Sequence, residues 1–467
     1  MTVHRWGARA LGERLIFVIA VLAATLFGAF AVNYTKIAVL VTVAFSFAAI
    51  WFRTYTAFER RLLTAMILVS ATADIPRRFN FGPITGLGAL SVLFLLATLP
   101  FWLYHPSVVR RVPRALAGFL IWIVVVSSIL TPSKIGIQNI VVYVLFVSTL
   151  VISSVVTESD VRFGVDADRA LLAAGWLGTA LYGLSALTGG LGGGTIIGSR
   201  SYALFALPIF GWALARLRFE RTQAGLVVAI LIMTAVSLSR GALAAECVMG
   251  ALAWFSPRRA VGWLRTAVAA ALVVLAFLLT VEHFGALHHR FATGAITTVG
   301  GVSFNTTGRG ELWGVIWRDY KQSPWIGRGA GSADDLAART FVHAGNPHND
   351  YLRLLHDYGP LAVCLWLIGY LGLVARTARG IDGPPSAGRW NLAAFLALIG
   401  VGLEMIVDNP MIEVDVMTPL AVIVGIAAAT GRARRTQVAG RRTSSLGVRA
   451  TAHRGSRDPS ERFGGSR

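Results

Sequence analysis

The stretch LLAAGWLGTALYGLSAL, residues 171–187, decides the fold class because it contains no charged residue. With its apolar flank it approaches the roughly 20 residues that a helix needs to cross the hydrocarbon core of a bilayer. Comparable runs are LIFVIAVLAATLFGAFAV at 15–32 and VAAALVVLAFLLTV at 268–281. Of all residues, 55% are hydrophobic and 14% are charged. A β-barrel would instead show short alternating segments. The sequence therefore predicts an all-α, polytopic helical membrane protein.

Hydropathy divides the chain into 14 candidate spans. One candidate, 62–75, is short, and the break between residues 238 and 242 is brief, so we expect about 12 to 14 transmembrane helices. The first run follows a basic start, as in a signal peptide, but no small-residue cleavage site stands out, which favours an uncleaved span. The candidates are 15–32, 37–52, 62–75, 84–103, 115–131, 137–156, 170–187, 202–217, 224–238, 242–255, 264–281, 361–375, 392–407 and 416–430.

Basic residues predict the orientation, because Lys and Arg near the ends of spans stay on the cytoplasmic side. An even number of spans places nearly every arginine cluster and both termini there. This topology gives four regions: a transmembrane bundle at 1–282, a long external loop at 283–360, C-terminal helices at 361–431 and a basic tail at 432–467. The net charge of +20 then comes largely from the basic residues at the cytoplasmic ends of the spans and from the tail. We expect the tail to be disordered and to bind anionic lipid head groups. The net charge does not predict a nucleic-acid partner.

The long external loop contains GRGELWGVIWRDYKQSPW, residues 308–325. Its apolar residues recur at helical spacing and predict a short amphipathic helix that ends at Pro324 and lies on the membrane surface or caps the bundle. Three tryptophans in this segment have two interpretations. Trp is enriched at membrane interfaces, which favours an anchoring role for Trp313 and Trp317. The flat indole faces of all three tryptophans, Trp325 included, would also suit sugar rings.

The same loop ends with GNPHNDYLRLLHDYGPL, residues 345–361, the densest polar stretch of the chain. Asn346 is a favourable N-cap and Pro347 suits the first helical position, so we expect His348 in the first helical turn. The helix dipole there disfavours a positive charge and would hold His348 neutral. Arg353 and Asp357 have the spacing of an i,i+4 ion pair. Further on, Gly359-Pro360 should interrupt the helix before the next span.

Four residues of this stretch, His348, Asn349, Leu352 and Gly359, form the pattern H-N-x-x-L-x6-G. The pattern resembles the signature of the O-antigen ligase and polymerase superfamily of bacterial inner-membrane proteins. SLSRGALAA at 237–245 resembles the Ser-Arg-Gly element of that family, and 308–331 resembles the run that leads into its histidine motif. The resemblance extends over about 237–359.

The resemblance implies a transferase that works on the periplasmic face of the inner membrane. The donor would be a glycan linked to undecaprenyl diphosphate, and an acceptor hydroxyl would attack its anomeric carbon. His348 would take the hydroxyl proton or donate to the leaving diphosphate. Asp408 is a second catalytic candidate, because the family tends to carry an acidic residue there, although it also reads as a helix cap before Pro410. Asn349, Leu352 and Gly359 would support the motif.

Departure of a diphosphate requires cations, and the planar fork of arginine binds phosphate oxygens in pairs. Arg240 and Arg200 break the positive-inside pattern at the outer ends of spans, where an arginine is costly unless it is paired or hydrated. Arg309 opens the amphipathic helix. These three are the candidate diphosphate-binding residues. Arg77 and Arg78 lie in a more polar loop and are better explained as loop markers.

We expect no metal and no cofactor. The one Asp-x-Asp pattern, Asp166 to Asp168, falls in a loop on the cytoplasmic side. Expected partners are the lipid-linked glycan, an acceptor glycan or lipid A core, the membrane and other polysaccharide-assembly proteins.

Three functions remain open. A polymerase of exopolysaccharide or O-antigen would join repeat units on the carrier, and a slightly closer resemblance of the Pro-Trp-x-Gly-x-Gly run favours it. An O-antigen ligase would use the same donor and motif to modify lipid A core. A transporter or flippase is less favoured, because transporters show two related halves and the sequence has no internal repeat.

Overall fold

The structure is a computed structural model that describes residues 58–77, 79–81, 84–160, 162–254, 296–299, 302–305, 309–340 and 345–430. The predicted spans 15–32, 37–52 and 264–281 lie outside the described residues. So does the tail at 432–467.

Helices make up most of the described chain, with two short antiparallel hairpins and two 3₁₀ turns beside them. The strands are β1 (Asn80–Phe81), β2 (Ile84–Thr85), β3 (Ile296–Val299) and β4 (Val302–Asn305), paired β1 with β2 and β3 with β4. The 3₁₀ turns are Pro106–Arg111 and Pro410–Ile412. The helices are α1 (Phe58–Ser70), α2 (Asp74–Arg77), α3 (Gly86–Tyr104), α4 (Arg114–Ile129), α5 (Lys134–Ser159), α6 (Phe163–Gly189), α7 (Ser199–Glu220), α8 (Ala224–Val236), α9 (Arg240–Trp254), α10 (Arg309–Tyr320), α11 (Ser332–Thr340), α12 (Asp350–Gly380), α13 (Pro385–Glu404) and α14 (Val414–Thr430).

Five helices of the described chain, α5, α6, α7, α12 and α13, are long and apolar enough to cross a membrane. Four shorter apolar helices accompany them: Gly86–Trp102 within α3, together with α4, α8 and α14. The chain is thus a helical membrane protein, and the predicted all-α class is confirmed at this level. The total of 12 to 14 spans and the external loop stay predictions.

The interior of the bundle forms around α7, whose residues from Ser201 to Ala215 are buried on every side. A helix that is apolar all round must be surrounded by other helices or by lipid, and here α13 and α9 pack against it. A Cβ atom at Gly211 would lie 2.8 Å from the backbone nitrogen of Ala397, so glycine permits this close helix crossing. The central position of α7 fixes where its first residues lie.

The amphipathic helix and its successor, α10 and α11, form a cap on the first half of α12. Leu312, Ile316 and Ala337 form a small apolar cluster, with Leu336 and Leu352 packed against it. This pattern confirms the predicted amphipathic helix, although α10 ends at Tyr320 rather than at Pro324.

The loop between α10 and α11 carries three glycines in the left-handed region, Gly327, Gly329 and Gly331. A glycine-rich loop before a helix N-terminus is a ready anion site. In this protein the anion is internal: the Asp357 carboxylate accepts the backbone N–H groups of Gly331 and Ala333, each at 2.9 Å. The loop therefore fastens the cap to α12.

Gly359 in α12 has a left-handed conformation (φ 76°), and a Cβ atom there would collide with the Trp325 carbonyl of the same loop. The predicted interruption at Gly359-Pro360 is confirmed as a kink within α12.

Two local predictions about α12 are wrong. The helix begins at Asp350 and its N-cap is Asn349, not Asn346, because the Asn349 side chain accepts the Leu352 N–H at 2.9 Å. His348 therefore precedes the helix, in a left-handed conformation (φ 49°), and lies outside the first turn. Arg353 forms its ion pair with Asp350 rather than with Asp357, whose carboxylate binds the cap.

Candidate functional site

The turn between α13 and α14, residues 405–413, gathers charged side chains from distant parts of the chain. At its centre the buried Asp408 carboxylate accepts hydrogen bonds from Arg200 Nε, at 2.8 Å to Oδ1 and 3.1 Å to Oδ2. It also accepts the N–H of Asn409 at 2.8 Å and lies 3.1 Å from Nδ1 of His348. His348 and Arg200, both predicted from the sequence, thus contact the third predicted residue, Asp408.

Two opposing effects act on Asp408. Burial alone would raise the pKa of its carboxyl, but the Arg200 guanidinium and the hydrogen bond to His348 outweigh burial and hold that pKa well below its usual value. Asp408 therefore stays ionised. Because an ionised carboxylate only accepts hydrogen bonds, His348 donates to it from Nδ1, and Nε2 is the ring nitrogen that Asp408 does not engage.

Arg200 reaches Asp408 because it is the second residue of α7, which the packed bundle holds in place. Its Nη1 donates to Glu413 at 2.9 Å, so two carboxylates share this one guanidinium. Glu413 also pairs with Arg77 from the end of α2. The side chain of Arg200 is 28% exposed. Most of its charge is therefore balanced by protein groups in this structure.

A third acidic residue, Asp74, supports the same region. It accepts the Ser201 hydroxyl at 2.6 Å and the Gly198 N–H at 2.7 Å, which fixes the start of α7. Arg77 donates to Ser201 at 3.1 Å. Arg77, interpreted from the sequence as a loop marker, thus joins the cluster around Asp408 through Glu413.

The turn that carries Asp408 is held by the first residue of α12. The Asp350 N–H donates to the Met405 carbonyl at 2.9 Å, and its Oδ2 accepts the Met411 N–H at 2.8 Å. Asp350 and its partner Arg353 are both fully buried. Because Asp350 follows His348 by two residues, one short segment presents the histidine and fastens the turn of its partner aspartate.

The cap also contacts this turn. Arg309, the first residue of α10, donates to the Val407 carbonyl, and Trp313 Nε1 donates to the Pro347 carbonyl at 2.8 Å. Asn409 Nδ2 donates to Asn346 at 3.1 Å. Arg309, unlike Arg200, donates to a neutral carbonyl in this contact.

Arg240 is the first residue of α9, beside Gly241. A Cβ atom at Gly241 would lie 2.5 Å from Oε2 of the buried Glu404, so the backbone of α9 packs directly against this carboxyl. Glu404 also interacts electrostatically with Arg309 and Arg200. Glu404 thus lies beside Gly241, the neighbour of Arg240, and interacts with two of the three candidate arginines, although sequence reasoning did not select it.

The three supporting residues of the histidine motif each stabilise the local fold. Asn349 caps α12, Leu352 packs into the apolar cluster of the cap, and Gly359 allows the kink. What sequence reasoning missed is Arg77, Asp74, Glu404 and Glu413. The stretch VDNPMIEVD contains Glu413 and gave one signal, because several acidic residues adjoin the end of a predicted span.

These elements define a class: a helical membrane protein with a histidine–aspartate–arginine cluster at the ends of its helices. The model of the family described as O-Antigen ligase matches residues 224–367. The match confirms the predicted relationship to the O-antigen ligase-related superfamily over that segment, which is less than a third of the chain. The segment contains Arg240, Arg309 and the histidine motif, whereas Arg200 and Asp408 lie outside it. No curated protein matches the chain.

Proposed function

We propose that the protein is a membrane glycosyltransferase that uses an undecaprenyl-diphosphate-linked glycan as donor and polymerises a surface polysaccharide. The observation that carries the proposal is that the Asp408 carboxylate contacts both His348 and Arg200, so that residues from three separate segments meet. The family match supports this class of reaction. In the proposed topology both termini are cytoplasmic, and the cluster faces the periplasm from the bacterial inner membrane.

In the reaction, His348 acts as the base. Its Nδ1–H is held by the ionised Asp408, so the lone pair of Nε2 accepts the proton of the acceptor hydroxyl. The freed oxygen forms the new bond to the anomeric carbon of the donor sugar. Asp408 serves as a positioning residue rather than the base, since its low pKa leaves it a poor proton acceptor. This assigns different roles to the two catalytic candidates.

As the glycosidic bond forms, the bond from the anomeric carbon to the diphosphate oxygen breaks, and the electron pair leaves with the diphosphate. Arg309 and Arg240 bind the leaving oxygens in this proposal. Arg200 contributes less, because Asp408 and Glu413 already balance its charge. It orients Asp408 instead. Arginines neutralise the diphosphate throughout, so the proposal involves no metal.

The alternative acceptor is lipid A core, which would make the protein an O-antigen ligase with the same donor chemistry. The description of the matched family favours this alternative. A polysaccharide transporter or flippase has weaker support, because no described residue cluster suggests two related halves around a midplane site.

The decisive experiment complements a deletion strain with His348→Ala and Arg309→Gln variants at matched membrane levels. We expect loss of surface polysaccharide and accumulation of the donor. Single repeat units on the carrier would favour the polymerase, and long chains on the carrier would favour the ligase. A matched control is His105→Ala, at the exposed end of α3. Full complementation by His348→Ala would refute the proposed reaction.

A further inference from the structure

A cavity lies at the cap, and none of its lining residues belongs to the Asp408 cluster. Its volume is about 380 Å³, and it is lined by Asp319, Arg328, Ser332, Leu336, Arg339 and His356. We call it the cap groove. The residues come from the end of α10, the glycine loop, α11 and α12, so the groove exists only when the cap is docked.

The floor of the groove is held rigidly. His356 is 1% exposed, with Nε2 at 2.9 Å from Asp319 and Nδ1 at 3.1 Å from the Ser332 hydroxyl. Arg328 donates to both oxygens of Asp319, at 3.1 and 3.2 Å. A ligand would therefore meet preorganised polar groups, which lowers the entropic cost of binding.

Two arginines and one aspartate line the groove, and the buried Asp357 carboxylate contacts Ser332 and His356 from behind. The lining aspartate, Asp319, is already paired with Arg328 and His356. Arg339 is exposed, its Nε donates to the neutral Asp335 carbonyl at 3.1 Å, and it forms no ion pair with a described residue. A guanidinium in this state suits a carboxylate, whose two oxygens match its two parallel N–H groups.

The position relative to His348 indicates what would enter the groove. His356 follows His348 by eight residues, and the helical part between them, from Asp350 to His356, rises about 9 Å at 1.5 Å per residue. Leu352, in the apolar cluster of the cap, lies between them in the chain. A ligand in the groove therefore cannot touch the reacting atoms, yet an oligosaccharide that starts at His348 is long enough to reach it. The exposed Trp325 belongs to the loop that joins Asp319 to Arg328.

We propose that the cap groove is a glycan subsite that binds an acidic sugar, a pyranose bearing a carboxylate, a few units away from the reacting bond. The carboxylate contacts Arg339 and Arg328, Ser332 bonds a ring hydroxyl, and Leu336 contacts the apolar face of the ring. The identity of the ligand as part of a glycan rests on the proposed function, whereas the anion specificity rests on the groove alone.

The test measures binding to the full chain in phosphatidylcholine nanodiscs by calorimetry. The probes are trigalacturonate and its neutral methyl ester. We expect the acid to bind, the ester to bind at least tenfold more weakly, and Arg339→Gln to weaken binding of the acid by about tenfold. Arg318→Gln is the matched control, an exposed arginine of α10 outside the groove, and should leave binding unchanged. His348→Ala should also leave it unchanged.

Three results would overturn the subsite: no binding of trigalacturonate, equal binding of the ester, or equal loss with Arg318→Gln and Arg339→Gln. Nanodiscs with phosphatidylglycerol separate a second source of anions. If that lipid competes with the sugar through Arg339, the groove is a lipid head-group site and the proposal fails. If His348→Ala transfers normally while Arg339→Gln still loses binding, the proposed function fails and the subsite stands.

Discussion

Two histidines eight residues apart, His348 and His356, contact aspartates at similar distances, 3.1 Å to Asp408 and 2.9 Å to Asp319. Their surroundings differ. The side chain of His348 is 24% exposed and precedes a helix, whereas His356 is 1% exposed and lies within it. His356 joins α12 to the cap with both ring nitrogens, which leaves none for a substrate. The comparison shows that a histidine–aspartate contact indicates chemistry only where one ring nitrogen can reach a ligand.

The largest effect should come from replacing each histidine by alanine. We expect His348→Ala to lower the transfer rate by 10²- to 10⁴-fold with a normal amount of folded protein, because the base is lost. His356→Ala should instead lower the amount of protein in the membrane and its melting temperature, because the cap loses a buried contact. Transfer rate per folded protein and melting temperature measure the two outcomes. A reversed pattern would contradict the assignment.

The partner aspartates sharpen the same distinction. Asp408→Asn should reduce the transfer rate by about a hundredfold, because an amide can hold the wrong tautomer of His348. Asp319→Asn should change the rate by less than tenfold. In the wild type, Asp408 should stay charged from pH 5 to 8, since its folded pKa is depressed and its stabilising contribution is lost only in stronger acid. A rate profile whose acid limb disappears in Asp408→Asn would contradict this role.

Asp350 tests whether the His348 segment positions the turn of Asp408. Asp350→Ala leaves the buried Arg353 without its partner and should cost about 3–5 kcal/mol of stability. The double variant Asp350→Ala, Arg353→Met should recover most of that stability, because the unpaired charge is gone. Its transfer rate should stay low, since the Met411 N–H has lost its acceptor. Recovery of both stability and rate would show that Asp350 does not position the turn.

The smallest effect concerns the cap and its buried acid, Asp334. Burial raises the pKa of this carboxyl to about 7, although Arg353 acts in the opposite direction. Because the folded pKa is above the unfolded value, the contribution to stability is full below about pH 4 and is lost as the pH rises through about 7. Asp334→Asn should therefore raise the melting temperature at pH 8 and change it little at pH 5. Equal shifts at both values would contradict the raised pKa.

The sequence predicted the helices because hydropathy is a local signal, and 11 of the candidate spans overlap described helices. His348 and Asp408 were identified from a motif and from an acidic residue beside a span. Glu413 and Arg77 were missed, because 336 residues separate these partners and no local pattern joins them. The helix start was misplaced for a local reason: Asn346 and Asn349 are equally good caps, and only the Asp350 contacts with Met405 and Met411 favour the second.

The glycine loop gives a further example. Read alone, a glycine-rich run before a helix suits a phosphate, but the Asp357 carboxylate that occupies it comes from a different helix. Tertiary packing decides whether such an anion site is free, and a local sequence motif does not predict tertiary packing. The same limit applies to Arg200, whose two carboxylate partners lie more than 200 residues away.

The most direct test of the central claim measures release of undecaprenyl diphosphate from a glycan-linked donor by the purified full chain in nanodiscs, with an acceptor glycan present. The account predicts acceptor-dependent release by the wild type, and at least a hundredfold slower release by His348→Ala with unchanged donor binding. Release by His348→Ala at the wild-type rate would contradict the account.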